Sequence, residues 1–140
     1  MRIVIIDGQG GGVGKNLVEA IGRKCPGEEI IAVGANAMAT ANMMKGTGVS
    51  GATGENAVVY NCARADVIAG PVGIVLANAM LGEITPKMAE AVSTSEAKIF
   101  LIPMNRCHAT IIGVESRKLS EYIEEAADLV AAVSQNGRQV

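Results

Sequence analysis

Residues 3–16 read IVIIDGQGGGVGKN, and the fold turns on how this stretch is understood. Ile3–Ile6 is a run of four β-branched residues, the continuous apolar pattern of a strand buried on both faces. Residues 8–14, GQGGGVG, then hold five glycines. Glycine is entropically costly to order, so such a cluster marks backbone that must reach positive φ or come close to another group. From Val13 the pattern turns helical as far as Lys24, and Pro26-Gly27 stops it. A strand, a glycine-rich turn and a helix in this order place free N–H groups and a partial positive charge at the helix start, where a phosphate can sit.

The rest of the chain repeats the alternation. Ile30–Val33 reads as a second strand ending at Gly34, and Asn36–Lys45 as a short Ala/Met-rich helix closed by Gly46. Gly46–Gly54 (GTGVSGATG) reads as a loop, Glu55–Ala63 as a helix, and Val67–Ala69 as a third strand stopped by Gly70-Pro71. Thr85-Pro86 is an N-cap followed by proline at the first helical position, opening a helix to about Ser93. Lys98–Ile102 is a fourth strand before Pro103, and Thr110–Val114 a candidate fifth. In the last helix Leu119, Ile123, Ala126, Ala127, Val130 and Val133 recur at helical spacing. Apolar strands alternating with helices imply a mostly parallel sheet covered on both faces, with ligands bound at the carboxyl edge of the strands.

Composition narrows the function. Apolar residues make up 49% of the 140 and charged residues 19%. A chain this short cannot bury so much apolar surface alone, so a homodimer or larger assembly is expected. No apolar run reaches the roughly 18 residues of a membrane span. A net charge of −2 and three aromatic residues exclude a basic or stacking surface for nucleic acid. The N-terminus has no signal-peptide pattern, and Cys25, Cys62 and Cys107 are widely spaced, which together point to a reducing cytoplasm.

The glycine loop admits several readings. A P-loop would need glycine at Gln9 and a hydroxyl at Asn16, so ATP hydrolysis is not expected. The G-x-G-x-x-G pattern started at Gly8 and Gly10 puts its third glycine at Val13. The spacing G-x-x-x-G-x-G fits at Gly8, Gly12 and Gly14, and resembles the loop of short-chain dehydrogenases, with Asp7 where those enzymes usually carry threonine. The resemblance ends there: Tyr60 and Arg64 are the only approach to their Tyr-x-x-x-Lys pair, and Gly34, Ala35 and Asn36 stand where an acid would hold the adenosine ribose. Alternatively, the glycines serve only to pack the first helix onto the sheet.

Across its length the chain resembles a family of small Rossmann-like bacterial proteins, found mainly in anaerobes and carrying a domain of unknown function. IDGQGGGVGK, GENAVV, DVIAGPVGI, ANAMLGEITPKMAEAV and IPMNRC carry the likeness. It implies a small α/β fold and no particular activity.

Elsewhere, Asn105 and Arg106 follow the fourth strand, and an arginine there suits a phosphate or carboxylate, or a surface ion pair. Cys107-His108, joined by Cys62, is a weaker soft-metal candidate; a buried thiol beside a solvated imidazole is the plainer reading. Asn78, Glu83 and Thr85 are candidates to line the same cleft. The Met-rich stretch 35–44 suits packing or a partner. No acid–base pair or nucleophile constellation is visible.

The expectation is therefore one domain over residues 1–140, a doubly wound, Rossmann-like α/β fold of about five strands. Its cofactor site comprises Gly8, Gln9, Gly10, Gly11, Gly12, Val13, Gly14, Lys15, Gly34, Asn36, Gly70, Pro71, Val72, Gly73, Asn105 and Arg106. The expected ligand is NAD(P) or another nucleotide. The alternative is a non-catalytic regulatory or scaffold subunit that binds a protein.

Overall fold

The computed structural model of the chain describes residues 1–104 and 109–138. Its strands are β1 (Arg2–Asp7), β2 (Glu29–Gly34), β3 (Ser50–Thr53), β4 (Val67–Pro71) and β5 (Lys98–Ile102). They form one sheet in the order β3-β2-β1-β4-β5, with every neighbouring pair parallel. The helices are α1 (Gly12–Lys24), α2 (Ala37–Met44), α3 (Glu55–Cys62), α4 (Pro86–Ser93) and α5 (Leu119–Arg138). A 3₁₀ turn, Val72–Val75, follows β4 directly.

Alternation along β1 builds the two layers. Ile3 and Ile5 face one core with Leu17 and Ile21 of α1, Met43 of α2, and Ile123, Ala127 and Val130 of α5. Val4 and Ile6 face the other, with Val58 of α3 and Met88 and Val92 of α4. A strand buried on both faces has no room for a polar face, which is why Ile3–Ile6 reads as an unbroken apolar run. Full burial of each such side chain stabilises the fold by about 1.5–3 kcal/mol. The stripe expected on the last helix faces the core through Ile123, Ala126, Ala127 and Val130, while Leu119 at its start is 38% exposed.

Three expectations are corrected. The loop expected at Gly46–Gly54 contains β3, whose Ser50–Thr53 pair with Ile31–Gly34. Its residues are small and mostly exposed, so it has neither the apolar run nor the alternation that announces a strand. It forms because β2 offers an open edge, and Gly51 lets Met44 of α2 lie against the backbone. Gly70-Pro71 does not stop the third predicted strand but ends it from within, pairing with Leu101 and Ile102 of β5. Thr110–Val114 is β-branched but forms no strand; Gly113 turns the chain at φ +90°, and all five residues are exposed.

Candidate functional site

Because the strands are parallel, Asp7, Gly34, Thr53, Pro71 and Ile102 all end on one edge. The chain leaves β1 toward β2 on one side and reaches β4 on the other, so the strand order reverses beside β1. Open parallel sheets form their ligand crevice at such a point. An open cleft of about 800 Å³ lies there. Its walls are the glycine loop from Asp7 to Val13, Asn16 on α1, Pro71 and Gly73 after β4, the segment from Leu76 to Leu81, and Met104 with Leu119.

Asp7 organises the loop. Its Oδ1 accepts the N–H of Gly8 and its Oδ2 the N–H of Gly14, both at 2.7 Å. Burial pushes its carboxyl above the ordinary 3.8, against the lowering pull of the Gly14 and Gly8 N–H groups. An acid at this position therefore folds the loop back onto the strand end.

The glycines divide by what surrounds them. A Cβ on Gly8 would meet Met80 Sδ at 2.6 Å, and one on Gly11 the Ala39 carbonyl oxygen at 2.7 Å. Gly11 also has φ +72° as the N-cap of α1, a backbone state that disfavours other residues. Gly14 lies so close to Met43 and Asp7 that no side chain fits. Gly10 and Gly12 are different: nothing lies within 4 Å of the Cβ position, and neither has positive φ. Among the described residues, neither N–H finds an acceptor.

The other expected site residues fall into four groups. Pro71 and Gly73 line the cleft. Gly70 is buried, and a Cβ there would collide with the Ile6 carbonyl oxygen; Val72 is buried in the turn. Gly34, Asn36 and Lys15 are not in the cleft wall. Gly34 gives way to Thr40. Lys15 Nζ donates to the carbonyls of Asn42 (3.2 Å) and Lys45 (2.7 Å), holding the C-terminal end of α2, where a cation is favoured. Asn36 caps α2, its Oδ1 accepting the Ala39 N–H, while its Nδ2 donates to Gln9 O and to Glu83 Oε1. Glu83 Oε1 also accepts the Gln9 N–H at 3.0 Å. Asn105, Arg106, Cys107 and His108 lie outside the described residues.

Two parts of the site escape a sequence reading. Asp7 looks like a substitution in a glycine loop, and only the fold shows that both its oxygens are held by that loop. Asn78 and Glu83 are legible as cleft candidates, but the backbone between them is not: Asn78, Met80 and Leu81 all have φ between 56° and 66°. Hydrogen bonds from Asn78 N to Ile84 O and from Ile84 N to Ala79 O hold this tight segment. Thr85 caps α4 through the Met88 N–H and donates to Glu55, so it serves the helix start. Cys62 is buried, its thiol pushed up to about 11 by desolvation. Its carbonyl accepts from the Ser95 hydroxyl, ahead of β5. No group of His, Cys, Asp and Glu able to hold a metal occurs among the described residues.

Residues 2–135 match the family described as a domain of unknown function (DUF3842), and the chain belongs to that family. No curated protein matches it. Among solved structures it is similar to a dodecameric FMN-dependent UbiX-like decarboxylase from Escherichia coli O157:H7. That match has 17% identity and a TM-score of 0.43, covering 92% of this chain and 75% of the other.

Proposed function

We propose that this chain binds a small molecule of the nucleotide class, NAD(P) included, through a phosphate on the glycine loop. The observation that supports it is the pair Gly10 and Gly12. Packing and backbone conformation account for Gly8, Gly11 and Gly14 but leave these two without a structural reason. Each presents an N–H that has no acceptor among the described residues at the start of α1, on the wall of the cleft. Backbone that must touch an anion closely needs both features.

The test is calorimetric titration of wild type and Gly12→Ala with inorganic phosphate, AMP, NAD⁺ and ATP, beside a melting curve. The variant keeps its melting midpoint and loses tenfold or more in affinity, about 1.4 kcal/mol. A wild type that binds none of these at millimolar concentration, weaker than about 4 kcal/mol, overturns the reading.

A second reading, association with another protein or another copy of the chain, is favoured by the apolar surface beside the cleft. Leu81 is 100% exposed and Ile112 is 91% exposed.

A further inference from the structure

Within the nucleotide class, the two sides of the glycine loop differ in room. An extended dinucleotide lays its adenosine ribose at the end of the second strand, toward a carboxylate there. In this chain that side is filled by the protein itself. Met80 and Glu83 lie over Gly8, together with Ala35 from the end of β2. Glu83 spans the gap, accepting from Gln9 N at 3.0 Å and from Asn36 Nδ2 at 2.7 Å. The Gln9 backbone is thus bonded through both its N–H and its carbonyl, which accepts from Asn36 at 2.9 Å. The carboxylate that sequence reading finds missing near Asn36 is supplied from 47 residues further along the chain, and it is already engaged.

Among the described residues the other side is open. From Gly10 and Gly12 the cleft runs over Pro71 and Gly73 to Leu76, Met104 and Leu119. Its far wall is apolar, and its volume of about 800 Å³ is in the range of small-molecule sites.

We infer that the site takes a ligand with one terminal phosphate, or an equivalent single anionic group, and a largely apolar body lying over β4. Met80 and Glu83 exclude the second nucleotide half. The inference rests on the phosphate reading of the loop and narrows it from nucleotides in general to phosphomonoesters.

The experiment titrates wild type with inorganic phosphate, phenyl phosphate, AMP and NAD⁺. Phenyl phosphate or AMP is expected to bind at least tenfold more tightly than NAD⁺, and more tightly than phosphate alone. NAD⁺ binding equal to or tighter than both monoesters overturns the inference and leaves the phosphate reading standing. Absence of binding by all four probes removes the phosphate reading and this inference together. Met80→Ala supplies an independent arm: shortening the side chain over Gly8 raises NAD⁺ affinity several-fold more than AMP affinity. Equal effects on both ligands contradict the assignment of Met80 as the excluding group.

Discussion

Gly14 and Gly10 stand four residues apart in one loop and answer to different physics. At Gly14 a methyl group collides with Met43 and Asp7, so Gly14→Ala forces α1 away from the sheet, at a cost of about 1–3 kcal/mol. At Gly10 nothing obstructs it and φ is ordinary. Gly10→Ala therefore leaves stability unchanged or raises it by about 0.4–1 kcal/mol, because the unfolded chain loses freedom. Denaturant melts of the two variants check the contrast, and equal losses at both positions contradict it. Asp7 makes a second prediction at this scale. Its folded-state carboxyl keeps its proton above the ordinary 3.8, because burial disfavours the charge. The folded state then binds more protons than the unfolded chain from about 3.8 up to the raised value. Asp7's favourable contribution is complete below that window and is lost as pH rises through it. The stability advantage of wild type over Asp7→Asn accordingly shrinks as pH rises above about 4; an advantage that grows with pH contradicts the raised direction.

Among the elements, α2 depends on contacts outside itself. It has eight residues, too few to be stable alone, and is held by Asn36 at its start and Lys15 at its end. Asn36→Ala removes the cap and frees the Gln9 carbonyl and Glu83, so its cost is expected at the upper end of the 0.5–2 kcal/mol range for N-caps. Hydrogen exchange measures it: the amides of α2 and of Gln9, whose N–H bonds Glu83, lose protection, while those of α5 keep theirs. Uniform loss across the chain contradicts this local role. α5 needs no such help, since its buried stripe meets α1 while Lys24 pairs with Glu124 and Asp128 across the same interface.

For the whole molecule the informative feature is the exposed apolar side chains that follow β4 and β5. Leu81, Ile112 and the half-exposed Ile111 and Val114 follow β4 and β5 on the carboxyl edge. None of the helices among the described residues is long and apolar enough to cross a membrane. Self-association through this surface predicts that wild type sediments as a dimer or larger species at micromolar concentration. A Leu81→Asp, Ile112→Asp double variant then shifts toward the monomer with its fold intact. A monomeric wild type removes this reading.

The sequence by itself determined the parallel sheet, because apolar runs alternating with helical periods have few other ways to be buried. It also determined the glycine loop at the carboxyl edge and the cap at Thr85, which are local in the chain. Strand β3 was not legible, since four small, exposed residues become a strand only when β2 presents a free edge. Neither were the roles of the individual glycines: Gly8 and Gly14 are required by Met80 and Met43, residues distant in sequence, and Gly10 and Gly12 by no atom of the described residues. The engagement of Glu83 with Asn36 and Gln9 was equally hidden. Periodicity and turn chemistry act over a few residues and can be read along the chain, whereas the space around a backbone atom and the partner of a carboxylate exist only after distant segments have packed together.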